Sequence, residues 1–289
     1  MKGEAKMSRI NYNKPKYGQG KGEFDLAYHY EMVSDAERTG QFKKAIMACC
    51  KDKVVLEIGP GTGILTLLAA KAGAKKVYAV EIDPAAYRVA KRNIEASGYS
   101  NIVLLNKDIF EFEPPEKIEV VIAELLSTCL VNEPQVLVMN HVTKFLAPGA
   151  VTLPHRVVNI VEGADVDYRF EDVVVKAPFF EFTGIKNARI VTESRMFETV
   201  EFGKENPVAI DRVVELTCLT KARLNSIRFT SIVNIHGDVN FYSTDSLMPP
   251  VVVPLAEPVD VEPGQKVLLR IKHKYNTDWD EGVYEIVRK

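Results

Sequence analysis

Runs of branched aliphatic residues alternate with helix-period segments through the first half of the chain. Residues 54–58 are apolar except for Glu57, the pattern of a strand covered on both faces in a parallel sheet. Glycines at alternate positions follow, Gly59, Gly61 and Gly63, and the run 64–72, closed by Gly73, predicts a helix. Residues 77–81, 102–108, 119–123 and 151–154 repeat the strand pattern. Between them Pro84 opens a helix that runs to Gly98, and Pro134 opens another that Ala147, Pro148 and Gly149 end. Strand–helix alternation of this kind predicts a doubly wound, mostly parallel α/β sheet.

Past Pro154 the pattern changes. Short β-rich runs at 157–161, 173–176, 213–220, 227–235, 251–255, 267–273 and 283–287 are punctuated by Pro and Gly, with no helix of comparable strength. They predict an antiparallel β-barrel or sandwich. The expected organisation is a tail over 1–22, an α/β domain with a helical lead-in over 23–154, and a β-barrel domain over 155–289. Phe179, Phe180, Phe182 and Ile185 fit a barrel strand and a partner surface equally.

At 289 residues, 46% hydrophobic and 26% charged, the chain has ample core for two domains. Charge interrupts every apolar run before membrane-spanning length, and no signal peptide precedes Glu23. The expectation is a cytoplasmic protein without a membrane partner. Cys49, Cys50, Cys129 and Cys218 lack metal-ligand spacing and read as reduced thiols; the histidines are scattered, so no metal is expected. A net charge of −2 speaks against nonspecific nucleic-acid binding while leaving room for a local basic patch. Residues 1–22, rich in Lys, Gly and Asn, read as a solvated tail or as a basic arm for a partner.

The candidate chemistry gathers where the strands end. A side chain at Gly59, Gly61 or Gly63 would keep a ligand off the backbone of the turn. Glu81 closes the second strand about 20 residues after the glycines, where a dinucleotide-type fold holds a ribose diol, and Asp108 follows the third strand. The spacing is G-x-G-x-G rather than the G-x-G-x-x-G of pyrophosphate-binding turns. Together these features resemble the S-adenosylmethionine (AdoMet) site of class I methyltransferases, which implies a Rossmann-like fold with AdoMet as cofactor.

Two further segments narrow the resemblance to the protein arginine N-methyltransferases. Met32, Asp35 and Arg38 match the segment which that family carries before its glycine turn. The match implies that Arg38 pairs with the AdoMet carboxylate and that Met32 packs near the sulfur. Glu124 and Glu133 follow the fourth strand and resemble the family's double-glutamate hairpin in spacing. A guanidinium stays protonated near neutral pH. Two carboxylates would fix its plane and draw charge onto the nitrogens they face, aiming the remaining nitrogen at the methyl.

The resemblance thus implies catalytic roles for Glu124 and Glu133, and cofactor contacts from Met32, Arg38, Glu57, Gly59, Gly61, Gly63, Glu81 and Asp108. It also implies a β-barrel directly after the Rossmann-like domain. The stretches at 124–128 and 250–265 look most like the branch that makes symmetric dimethylarginine. Ser127 stands where the family has glycine, and 243–249 holds neither the His nor the Trp of the asymmetric branch's closing loop; the only tryptophan is Trp279. Residues 179–206 lie where the family inserts a dimerisation arm, which is compatible with a homodimer. The expected partner is a protein or small molecule bearing a guanidinium or amine. RNA as acceptor and a non-catalytic AdoMet-binding protein are the alternatives.

Overall fold

The computed structural model describes residues 31–182 and 188–287. The tail over 1–22, the lead-in residues 24–30 and Ile185 lie outside the described residues.

Strand β1 (Val54–Ile58) is buried at every position, as its unbroken apolar pattern requires. It runs parallel between β2 (Lys76–Glu81) and β4 (Ile118–Ala123). Outside these lie β3 (Ile102–Asn106) and β5 (Leu146–Leu153), also parallel. The order β3-β2-β1-β4-β5 changes direction between β1 and β4. Loops leaving the C-terminal ends of those two strands therefore open onto one crevice, where sheets of this kind place their ligands. The sheet is the doubly wound α/β layer that the alternation predicts.

The connecting helices follow their local signals. They are α1 (Ala36–Cys49), α2 (Ile64–Lys71), α3 (Pro84–Ser97) and α4 (Gln135–Val142). In α3 the Asp83 carboxylate accepts from the N–H groups of Ala85 and Ala86 at 2.6 and 2.9 Å, Pro84 occupies the first turn, and Gly98 ends the helix at φ 75°. One boundary differs from expectation. β5 begins at Leu146 rather than at Val151, and its ladder with β4 passes from Ile118↔Leu146 to Val120↔Val151. Residues 147–150 bow out between these pairs, because Pro148 has no N–H for the ladder and Gly149 takes φ 74°. The turn signal at 147–149 marks a bulge inside the strand.

From Arg156 onward the strands pair antiparallel. They are β6 (Arg156–Asp165), β7 (Arg169–Phe170), β8 (Val173–Val174), β9 (Phe179–Phe180), β10 (Arg189–Ile190), β11 (Arg195–Glu201), β12 (Ala209–Thr217), β13 (Ala222–His236), β14 (Val239–Tyr242), β15 (Val251–Val261), β16 (Lys266–Lys274) and β17 (Val283–Val287). The long strand β13 is the spine of the barrel: β6 pairs along one edge, and β15 and β14 share the other. β12, β16 and β17 form the smaller sheet. Phe179 and Phe180 pair with Val252 and Val251, so of the two readings for this segment they take the barrel strand. Large apolar residues are instead exposed on and beside the β7–β8 hairpin, at Phe170, Val173, Val174 and Val175.

The core runs without a break from sheet to barrel. Phe42 of α1 is fully buried and meets Phe241 of β14 at 6.3 Å between ring centres, tying the helix before the glycine turn to the barrel. Among the described residues no helix is long and apolar enough to cross a membrane. Phe42→Ala is expected to lower the free energy of unfolding by about 3–5 kcal/mol. Chemical denaturation measures this, and a loss below about 1 kcal/mol would show that the helix–barrel contact contributes little.

Candidate active site

The glycine turn leaves β1 with Gly59 at φ 68° and a Cβ built there would lie 2.8 Å from the Leu125 side chain. A side chain is thus excluded both by backbone conformation and by a neighbour that belongs to the loop after β4. Gly63, at φ 87°, is the N-cap of α2. Gly61 donates its N–H to Glu81 Oε2 at 3.0 Å, and Glu81 Oε1 accepts from Asp83 N at 2.9 Å. Glu81 is therefore braced against the turn at the C-terminal end of β2. Burial pushes its carboxyl above the ordinary range, and the backbone N–H groups pull it partly back.

Glu57 and Asp108 hold different positions. Glu57 lies within β1, only 2% exposed, and its carboxyl accepts a hydrogen bond from the Thr66 hydroxyl of α2. Burial raises it to about 8, and the charge of Glu81 adds to the rise. It joins strand to helix behind the turn. Asp108 stands two residues past the end of β3, where its Oδ1 accepts from Phe110 N at 2.9 Å and caps the short helical turn Ile109–Glu111.

The segment before β1 supplies a buried cation. Asp35 caps α1 by accepting from Arg38 N at 3.1 Å, and its second oxygen accepts from Leu247 N at 2.9 Å. The loop at 243–249, which lacks His and Trp, is thereby held to α1 through its backbone. Arg38 is 4% exposed. Its Nη1 donates to Glu124 Oε1 at 3.2 Å and its Nη2 donates to Met32 O and Met32 Sδ at 3.1 and 2.9 Å. The guanidinium thus bridges two of the sequence-marked residues, Met32 and Glu124.

The hairpin that carries Glu124 and Glu133 is stitched on both sides. Gln135, fully buried, accepts from Leu125 N at 2.9 Å and donates to Ala123 O at 3.0 Å, so it clamps the backbone on either side of Glu124. Ser127 Oγ accepts from Asn132 N at 3.1 Å and closes the loop from within. Cys129 N donates to Ser231 Oγ at 2.8 Å, Thr128 Oγ1 donates to Pro249 O at 2.6 Å, and Thr277 N donates to Val131 O at 2.9 Å. Each of those acceptors or donors outside the loop belongs to the barrel half. Gln135 escapes a sequence reading because it sits among the apolar residues of a helix; its place directly after Glu133 and Pro134 was the available signal.

The electrostatics of the pair are unequal. Burial raises the Glu124 carboxyl, but the Arg38 guanidinium works against that rise. Burial and then the Glu124 charge push Glu133 up to about 7. The two carboxylates therefore sense one another. Arg38 itself lies between Asp35 and Glu124, with its Nε 3.7 Å from Asp35 Oδ2 and its Nη1 3.2 Å from Glu124 Oε1.

The Glu57 carboxyl keeps its proton in the folded protein up to about pH 8, whereas an unfolded chain releases it near the ordinary glutamate value of 4.5. Its contribution to stability is present below the lower value and declines as pH rises through that window. Glu57→Gln, which mimics the protonated form, is expected to flatten the fall of melting temperature between those two pH values. Thermal scans across the window decide this; an unchanged slope would mean that Glu57 is ionised in the fold.

Residues 44–153, the span that holds β1 to β5, match the family model described as Ribosomal protein L11 methyltransferase (PrmA). The uncharacterized protein MJ1452 of Methanocaldococcus jannaschii is 34% identical over 238 residues, covering 81% of this chain and 87% of that protein. Protein arginine N-methyltransferase 1 of Oryza sativa subsp. indica is 32% identical over 201 residues, covering 62% of this chain and 52% of the rice protein. The chain thus spans about half the length of that relative. The solved Trypanosoma brucei PRMT1 enzyme–prozyme heterotetrameric complex with AdoHcy shares the fold, with a TM-score of 0.76 at 20% identity over 86% of this chain and 88% of that one. The chain belongs to one family with MJ1452, a family of class I AdoMet-dependent methyltransferases that resembles the protein arginine N-methyltransferases.

Proposed function

We propose that the protein transfers a methyl group from AdoMet to a guanidinium nitrogen of an arginine in a protein substrate. The observation that carries this reading is the pair Glu124 and Glu133: two electrostatically coupled carboxylates on one hairpin, at the C-terminal edge of the sheet, beside the glycine turn. The relatives named for arginine and ribosomal-protein methylation support a protein acceptor.

The residues fit the cofactor. Glu81 is a buried acceptor at the end of β2 beside the Gly61 N–H, and the left-handed backbone at Gly59, Gly61 and Gly63 keeps side chains off the turn. Gly59, Gly61, Gly63, Glu81 and Asp108 would hold the nucleoside half, while Arg38 and Met32 would hold the amino-acid half. Bound AdoMet supplies an electrophilic methyl on a positively charged sulfur. The chain's own part is orientation and electrostatics. Glu124, anchored by Arg38 and by Gln135 on its flanking backbone, fixes one edge of the guanidinium. Glu133 faces the same cation, and because its pKa lies at about 7 it is poised to accept the proton released on transfer. The sheet half through Leu153 would bind cofactor, and the barrel from Arg156 would present the acceptor. The burial of the Cys50, Cys129 and Cys218 thiols in the apolar core fits a cytoplasmic location. The exposed Phe170 and Val173–Val175 support a self-association surface.

Glu133→Gln is expected to lower kcat by about 100-fold or more while leaving AdoMet affinity unchanged, and Glu124→Gln, which also loosens Arg38, to lower kcat by at least as much. A mass-spectrometric assay on arginine-containing peptides and protein lysate reads both loss and product symmetry; full activity in the double variant would refute the assignment. A cationic acceptor favours ionised Glu133, so its KM is expected to fall as pH rises toward about 7 and then level off, with the Glu133→Gln variant losing that dependence.

A further inference from the structure

A cavity lies in the barrel, outside the crevice of the glycine turn. It has a volume of about 320 Å³ and is lined by Phe197, Glu198 and Val200 of β11, Asn206, Arg212 of β12 and Tyr275 after β16. That volume is near the lower limit of small-ligand sites, which places the occupant among simple metabolites. The cavity also sits at the seam of the two halves: Asn140 of α4 donates to Asn206 O at 2.8 Å and accepts from Asn206 N at 2.9 Å.

Its polar groups are held in place. A bulge in the β6–β11 ladder, between Met196 and Glu198, resets the register so that Glu198 lies directly opposite Asn159. Tyr275, 4% exposed, donates its hydroxyl to Glu198 Oε2. Asn159, fully buried, accepts from Ser231 Oγ at 2.9 Å, so the row Glu198–Asn159–Ser231 crosses three strands of an otherwise apolar interior. Arg212, on the neighbouring strand, presents the opposite charge to the same space. Phe197, Val200 and Pro207 supply apolar wall between the charges.

We propose that this cavity is a binding site for a small α-amino acid with an apolar side chain, its ammonium against Glu198, its carboxylate against Arg212 and its side chain along Phe197 and Val200. An acid and a base that share one small cavity match a zwitterion and disfavour either a simple amine or a simple carboxylate. Burial raises the Glu198 carboxyl, and the Tyr275 hydroxyl and Arg212 only partly offset this. A bound ammonium completes the compensation. Because Glu198 is preset by Tyr275 and the strand register, little ordering is required when the ligand enters. The site makes no use of Glu124 or Glu133, and it stands whether or not the protein methylates arginine.

Isothermal titration of the full chain with L-leucine, L-leucinamide and N-acetyl-L-leucine tests the proposal. L-Leucine is expected to bind with a Kd of about 1 mM or tighter, and the two analogues, each lacking one charge, at least about tenfold more weakly. Arg212→Gln, a change at an exposed strand position, should erase the preference for L-leucine over leucinamide. Glu198→Gln should erase the preference over N-acetyl-leucine. The Glu124→Gln/Glu133→Gln double variant should bind L-leucine as the unaltered protein does. Absence of binding for L-leucine, L-valine and L-phenylalanine alike would overturn the proposal. So would binding that survives Arg212→Gln and Glu198→Gln unchanged, or that disappears in the double variant and thereby belongs to the methyl-transfer crevice.

Discussion

Arg38 is set against Glu124 where the guanidinium has almost no water and the carboxylate keeps only an edge of it. The guanidinium is 4% exposed and reaches Glu124 Oε1 at 3.2 Å. Breaking such a buried pair from one side costs about 3–5 kcal/mol, because the remaining charge keeps its desolvation without its partner. Burial raises the pKa of the site's four glutamates, Glu57, Glu81, Glu124 and Glu133. Arg38 decides which of the two hairpin glutamates is stabilised as the anion. Its fork is kept in position by Met32 on one side and by the Asp35 cap of α1 on the other. The contact ties α1 to the hairpin and favours the ionised Glu124, whose charge adds to the effect of burial on Glu133.

The hairpin between the glutamates carries a second constraint. Cys129 and Leu130 adopt φ of 53° and 60°, left-handed conformations that cost of order 1–3 kcal/mol each for residues other than glycine. They persist because the surrounding bonds over-determine them. Ser231, Pro249 and Thr277 reach in from the barrel half, and Gln135 closes the strand side. A loop that would be mobile on an isolated α/β sheet is thus held by its neighbour. The barrel acts as a support for the site as well as a surface beside it.

The barrel interior shows the same reliance on distant partners. Trp279 is buried against Phe229 and Tyr284, with ring centres at 5.0 and 5.9 Å, so it serves packing and offers no face to a ligand in the crevice. His273 lies in the same cluster, and burial lowers its pKa to about 4, which keeps it neutral and out of any proton transfer near pH 7. The polar row from Glu198 through Asn159 to Ser231 and Cys129 N connects the barrel cavity to the glutamate hairpin by direct contact. Along this row the Glu198 carboxylate, the Asn159 carbonyl and the Ser231 hydroxyl each have a hydrogen-bond partner.

Local pattern was enough for the α/β layer. An unbroken apolar run, glycines at alternate positions and Pro–Gly punctuation fix backbone geometry within a few residues, so β1, the turn, α2 and the capped α3 follow from neighbouring side chains alone. The change of texture after Pro154 likewise announced antiparallel strands. Two-residue strands such as β9 and β10 carry too short a pattern to be read, and β11 is interrupted by its bulge. Glu124 and Glu133 were visible as a spaced pair, but their unequal surroundings were not. Arg38 meets Glu124 across 86 positions and Asp35 meets Leu247 across 212. Nothing in local periodicity encodes such contacts. They exist because burying one continuous core forces α1, the hairpin and the barrel loop into the same small volume, where each buried charge and amide had to find the partner that packing brought to it.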